Sequence, residues 1–177
     1  GSVTVPARTV AVFTQAAGDR IDPTVTPDPA AAQWVASGDG RWWLRYPDGS
    51  YPANERVVRD GVTYSFDANG WMKTGWQVED GAWRYYAPSG AMATGWTAVG
   101  GTWYYLDPDT GAMATGWLKD GDTWYYLHDS GAMATGWVNL SGAWFYLNGN
   151  GSMATGWANL GGTWYYLTES GQMAIGW

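Results

Sequence analysis

Every twentieth or twenty-first residue, this chain returns to one short phrase. GWMKTGW, GAMATGW in three copies, GSMATGW and GQMAIGW close on Trp76, Trp96, Trp117, Trp137, Trp157 and Trp177. Between successive copies lies a second block: AWRYY, TWYYL, TWYYL, AWFYL, TWYYL. A fixed period of this length means an array in which each unit stacks on its neighbours, with no single central core. It also accounts for 15 Trp and 12 Tyr beside only 3 Phe in 177 residues.

Each unit folds on paper as a β-hairpin. Asp80-Gly81 lies midway between Trp76 and Tyr85, and Gly100-Gly101, Gly121-Asp122, Ser141-Gly142 and Gly161-Gly162 occupy the same place in later units. Two-residue hairpin turns favour such pairs because they need positive φ. The expected architecture is all-β, a solenoid of β-hairpins repeating about every 20 residues. The one extra residue falls in Asp107-Pro108-Asp109-Thr110, a connection, where length is tolerated.

Strand alternation sorts the side chains. One face of each hairpin carries two tryptophans and the middle tyrosine: Trp76, Trp83, Tyr85; Trp96, Trp103, Tyr105; Trp117, Trp124, Tyr126; Trp137, Trp144, Tyr146; Trp157, Trp164, Tyr166. The other face carries Tyr86, Leu106, Leu127, Leu147 and Leu167, with Arg84, Tyr104, Tyr125, Phe145 and Tyr165 beside them. Met92, Met113, Met133, Met153 and Met173 recur in the connections, at a constant offset from the Trp pair. A Met thioether packs well against aromatic rings.

The units before Trp76 are degenerate. Arg56, Thr63 and Ser65 stand where the Trp, Trp and Tyr belong, while Val57, Tyr64 and Phe66 keep the apolar face. A repeat that retains packing and loses the triad reads as a cap that binds nothing. The expected division is a lone strand at residues 1–13 belonging to an upstream domain, an Ala/Pro/Asp-rich linker at 14–40, degenerate hairpins at 41–75 with one turn at Asp48-Gly49, and ligand-binding hairpins at 76–177. At Trp177 the chain stops at the first residue of a sixth hairpin. That end is expected to be adhesive: either the natural protein continues, or two chains form a homodimer end to end through Tyr165, Leu167 and Trp177.

Composition excludes several classes. A net charge of −7 argues against nucleic acid and suits a cationic ligand. No run is long and apolar enough for a transmembrane helix. There is no Cys, and His128 is the only histidine, so thiolate metal sites are excluded and a histidine triad would rest on one connection residue. The carboxylate pairs Asp107/Asp109 and Asp120/Asp122 sit in turns. The expectation is a non-catalytic chain without metal or cofactor.

The aromatic face has two readings, hydrophobic core or ligand cage. The opposite face already supplies packing, the degenerate hairpin loses only the aromatic face, and Trp stands at all ten positions where an aliphatic residue would fill a core. Electron-rich ring faces attract a quaternary ammonium and also stack on sugars. Sugar sites need placed polar groups. Asn139 and Asn159 supply them in only two units, which favours the ammonium.

The pattern TGW-x-x-x-x-G-x-WYYL-x-x-x-G-x-MATGW over residues 41–177 resembles the choline-binding, or cell-wall-binding, repeats of Gram-positive surface proteins and phage lysins. The resemblance implies a left-handed hairpin solenoid on a secreted, cell-surface protein. It implies that choline of teichoic acid is held between consecutive hairpins by two Trp, a Tyr and often a Met. Carried over, the sites use the Trp pairs from Trp76 to Trp164, the Met92-type methionines, and Trp177 closing the last. The middle tyrosine is taken as the third ring because it occurs in all five units; the preceding position (Tyr104, Tyr125, Tyr165) is the alternative. Related repeats bind α-glucan in glucansucrases and host glycans in clostridial toxins, so a glucan is the second candidate ligand. VTVPARTVAVF (3–13) resembles the last strand of the β-sandwich in pullulanase-type α-glucan hydrolases.

Overall fold

In the computed structural model, residues 27–176 are described. The expected lone strand at 1–13 and the residue Trp177 lie outside them. The described residues form a short 3₁₀ turn, Pro29–Ala31, and seven antiparallel hairpins, each a separate two-stranded sheet. These are β1 (Gln33–Ala36) with β2 (Trp42–Arg45), β3 (Arg56–Arg59) with β4 (Val62–Ser65), β5 (Gly75–Glu79) with β6 (Ala82–Tyr86), β7 (Gly95–Val99) with β8 (Thr102–Leu106), β9 (Gly116–Asp120) with β10 (Thr123–Leu127), β11 (Gly136–Leu140) with β12 (Ala143–Leu147), and β13 (Gly156–Leu160) with β14 (Thr163–Leu167). The fold is the all-β hairpin solenoid that the period predicts.

Register follows the turn dipeptides. Trp76 faces Tyr85, Trp96 faces Tyr105, and Trp117 faces Tyr126. Asp80 and Gly81 both have positive φ, at 52° and 75°, as a type I′ turn requires. In Gly121-Asp122 only the glycine does, the pattern of a II′ turn, so reversing the order of the pair changes the turn type and not the register.

Among the described residues no ladder joins one hairpin to the next. The connection does it instead. Met113 forms a bridge with Leu106 at the end of its own hairpin and donates its N–H to the Trp83 carbonyl of the preceding hairpin at 2.8 Å. Met133, Met153 and Met173 repeat the bond to Trp103, Trp124 and Trp144 at 2.7–2.8 Å. Inside this winding the last residue of each second strand from β4 onward is buried. Tyr86, Leu106, Leu127, Leu147 and Leu167 are all 0% exposed and form a column up the array. The packing face is therefore the one that alternation assigns. Leu167, placed by the sequence reading on an adhesive end surface, belongs to that column and is not available to a second chain; Trp157, Trp164 and Tyr166 are the exposed rings of that hairpin.

The first hairpin departs from expectation. It begins at Gln33, inside the stretch read as linker, and its tip is the five-residue loop 37–41, closed by the Ser37 N–H on the Arg41 carbonyl at 2.8 Å. Asp48-Gly49 is no hairpin tip. It lies in a connection turn, where Tyr46 N–H meets Ser50 O and Gly49 N–H meets Tyr46 O, as Asp67 and Gly70 do one connection further on with Trp71 and Asp67. The tip Ser37-Gly38-Asp39-Gly40-Arg41 does contain an Asp-Gly pair, but in a five-residue loop and not as a two-residue turn, and its flanking Ala/Pro composition resembles a linker. Ala32 packs with Leu44, Tyr46, Val57 and Phe66 and closes the core at this end.

Candidate functional site

The Trp-bearing face stays largely open to solvent. Trp83, Trp103, Trp124 and Trp144 are 41–48% exposed although each lies mid-strand. In three hairpins the two indoles stand nearly perpendicular: Trp76 and Trp83 at 6.4 Å and 85°, Trp117 and Trp124 at 6.3 Å and 89°, Trp137 and Trp144 at 6.3 Å and 87°. Such a corner leaves two ring faces aimed at one volume. In Trp96 the indole Nε1–H is fixed by the Asp120 carboxylate at 2.9 Å.

The third ring comes from the next hairpin. Tyr104 meets Trp76 at 4.8 Å, Tyr125 meets Trp96 at 4.7 Å, Phe145 meets Trp117 at 4.9 Å and Tyr165 meets Trp137 at 4.9 Å, all edge-on. Two cavities show the whole arrangement. One of about 310 Å³ is lined by Trp96, Trp103, Tyr125 and Met133, with Gly149 and Asn150 at the rim. The other, about 390 Å³, is lined by Trp117, Trp124, Phe145 and Met153, with Glu169, Ser170 and Gln172 at the rim. Each cage is thus built from two consecutive hairpins, and its rim is the connection after a third.

Of the residues singled out in the sequence, Trp96, Trp103 and Met133 line one cavity and Trp117, Trp124 and Met153 the other. The middle tyrosines do not line these two cavities. Tyr105 and Tyr126 sit directly opposite Trp96 and Trp117, with centroids 5.2 Å away, and back the indoles inside their own hairpins. Alternation places them on the Trp face, but the volume beside the indoles is closed across the gap between hairpins, by the residue one step earlier. Met92, Met113 and Met173 occupy the same connection position as the two lining methionines.

The degenerate unit shows what a cage needs. At its position Arg56 and Thr63 replace the two Trp, and the residue due from the next hairpin is Arg84 in place of Tyr or Phe. All three rings are missing together, although they belong to two different hairpins. The losses follow the site and not the repeat. That also accounts for the arginine at position 84, where later units carry Tyr or Phe.

A polar cleft of about 380 Å³ occupies the place, with Arg56, Ser65, Lys73, Glu79 and Asp80 among its lining. Arg56 binds Asp80 at 2.7 Å, Lys73 binds Glu79 at 2.9 Å, and the Ser65 and Tyr86 hydroxyls donate to Glu79. Burial would raise Glu79, but the hydrogen bonds from Ser65, Lys73 and Tyr86 outweigh it and hold the carboxyl below its usual range. Tyr86 is pushed up to about 12 by burial and by its bond to Glu79. Arg84 is buried and donates to the carbonyls of Glu79 and Thr110.

The two amides of the Trp face turn their oxygens to their own hairpin tips: Asn139 Oδ1 accepts from Gly142 N–H and Asn159 Oδ1 from Gly162 N–H, each at 3.1 Å. His128 is exposed, beside Tyr126.

The family model of the choline-binding repeat matches residues 55–94, 93–136 and 134–176. A search of curated proteins gives no match. Among solved structures, choline binding protein F from Streptococcus pneumoniae, in the presence of a peptidoglycan analogue, is 42% identical with a TM-score of 0.74, over 80% of this chain and 51% of that one. CbpJ from Streptococcus pneumoniae TIGR4 is 44% identical with a TM-score of 0.74, over 80% and 51%. The multimodular pneumococcal cell wall endolysin from phage Cp-1, complexed with choline, is 37% identical with a TM-score of 0.52, over 77% and 40%. The chain spans about half the length of the first two of these proteins and less of the third.

Proposed function

The chain belongs to the choline-binding repeat family, and we propose that its cages hold the quaternary ammonium of choline on a cell-wall polymer, anchoring a secreted protein to a bacterial surface. The observation that carries this is the repeated three-ring cavity backed by a Met thioether and free of any cationic lining residue. A desolvated ammonium gains up to ~2 kcal/mol or more against such faces. The Glu169 carboxylate at one rim adds a favourable field. Each cage is weak, roughly millimolar, because one small cation makes few contacts. Several cages on one polymer raise avidity by ~10²–10⁴. The glucan reading is weakened because Asn139 and Asn159 line neither of the two cavities and each places its Oδ1 on a turn N–H.

The module itself is read as non-catalytic. The pullulanase-type reading of residues 3–13 gains no support from the family-model match, which begins at residue 55. A homodimer is proposed through the exposed rings Trp164 and Tyr166 of the last described hairpin. Sedimentation at rising concentration tests it, and a strict monomer with and without choline rejects it.

Binding to an immobilised tertiary amine tests the main proposal, with one precaution. A chain of net charge −7 also binds such a resin by simple ion exchange. Loading in about 1 M NaCl shortens the screening length to about 3 Å and removes that contribution. Retention under those conditions, with release by choline at constant ionic strength, is the expected result. Flow-through in 1 M NaCl together with retention on starch would reject choline in favour of glucan.

A further inference from the structure

Hairpin β1/β2 carries no copy of the repeat phrase, and the family-model match starts after it, at residue 55. Its geometry is still that of a cage-forming hairpin. Met72 donates its N–H to the Trp42 carbonyl at 2.8 Å, the bond that Met133 makes to Trp103. Trp34 faces Leu44 across the strands as Trp96 faces Tyr105. Tyr64, at the register position of Tyr125, meets Trp34 edge-on at 4.9 Å and 67°, against 4.7 Å and 61° for Trp96 and Tyr125. A cavity of about 320 Å³ opens between Trp34, Trp42, Tyr64 and Met72, beside the cage of about 310 Å³ at Trp96 in size. Its rim, Pro88 and Ser89, is again the connection after the hairpin two steps on.

We propose that this cavity is a further quaternary-ammonium site, formed by Trp34, Trp42, Tyr64 and Met72. The proposal rests on the reading of the other cages as ammonium sites. Trp42 is 43% exposed, as the cage tryptophans are. Arg41, the cation next to Trp42 in sequence, is turned elsewhere: Asp39 holds it, and its guanidinium lies 3.9 Å over the Trp71 ring. No carboxylate lines this cavity, so the rings alone hold the cation. The Arg56/Thr63/Arg84 position then becomes an interruption within the array and not its inactive beginning. A polymer running along the solenoid engages the first hairpin pair, passes one position without a cage, and engages the series that starts at Trp76.

The test is a choline titration of the chain labelled with ¹⁵N-tryptophan, reading each indole N–H, with signals assigned by single Trp→Phe variants. The Trp34 and Trp42 signals are expected to shift and saturate within about tenfold of the choline concentration that saturates Trp103 and Trp124. Tyr64→Leu keeps the packing bulk and should weaken the Trp42 response roughly tenfold or more while leaving Trp124 unchanged. Unmoved Trp34 and Trp42 signals beside saturating Trp103 and Trp124 would overturn this site alone. If no indole responds, the reading of all the cages falls, and this one with it. The Trp124 response also reports that the variant is folded.

Discussion

Trp124 and Leu127 stand three residues apart on β10 and carry separate tasks. Trp124 is 41% exposed and walls a cage, while Leu127 is fully buried and bridges Met133. Trp124→Ala is expected to abolish one choline site with little change in melting temperature. Leu127→Ala should cost ~2–5 kcal/mol of stability and leave the remaining folded molecules able to bind. Calorimetric melting beside a choline titration of both variants checks the pair, and the reverse pattern would mean that the faces are exchanged. Glu79 is a second separable residue. Its folded carboxyl sits below the usual range, so its stabilisation is present above the unfolded value of about 4.3 and is lost as pH falls through the depressed one. Glu79→Gln should lower stability at neutral pH and flatten the acid limb below about pH 4. Denaturant midpoints measured from pH 3 to 7 read this directly, and parallel limbs for the two proteins would show that Glu79 contributes nothing. Tyr86 gives the opposite limb: raised to about 12, its contribution is fully present below the ordinary tyrosine value of about 10 and fades above it.

At the scale of the element, the connection governs the cage. Gly151 has φ +84°, and a Cβ there would lie 2.3 Å from the Sδ of Met133, which walls the Trp96 cage. Gly142 has φ +91° but open space around it. Ala at either position strains the backbone by about 1–2 kcal/mol. Only Gly151→Ala should also push Met133 into the cage and weaken choline at Trp103, read by its indole signal; equal effects from both variants would remove the role assigned to Met133. The degenerate unit allows the converse experiment. Arg56→Trp, Thr63→Trp and Arg84→Tyr together should add one choline site, counted by equilibrium dialysis. Any two of them should add none, because the rings come from two hairpins. A site created by the two Trp substitutions alone would show that the third ring is dispensable.

Across the whole molecule the cages couple to folding. Each one spans residues far apart in sequence, such as Trp96 and Asn150, so an occupied cage ties three successive hairpin units together. Ligand that binds only the folded array stabilises it by RT ln(1 + [L]/Kd) per site, about 1.4 kcal/mol at ten times Kd. The melting temperature should rise continuously with choline and less steeply in Trp124→Ala. A melting temperature indifferent to choline at concentrations that saturate the indole signals would contradict this linkage. Much of the molecule is determined by the sequence alone. The period gives the stacking, the turn dipeptides give the register, and two-residue alternation divides the open Trp face from the buried Leu column, because all of these are local to one hairpin. The third ring of each cage was not legible in that way. Tyr125 and Tyr126 are adjacent, both aromatic and both repeated, and alternation favours Tyr126 by placing it beside Trp117 and Trp124. Which of them closes a cage depends on how one hairpin is rotated onto the next, and that is set by the Met N–H bond to the preceding Trp carbonyl and by the close approach of Met to glycine in the following turn. The first strand of the Gln33 hairpin was hidden for a related reason: Asp39-Gly40 sits in a five-residue loop beside Ala/Pro-rich sequence, so Asp48-Gly49 competes with it as the tip, and the pairing of Gln33–Ala36 with Trp42–Arg45 and the stacking on Tyr64 and Met72 decide between them.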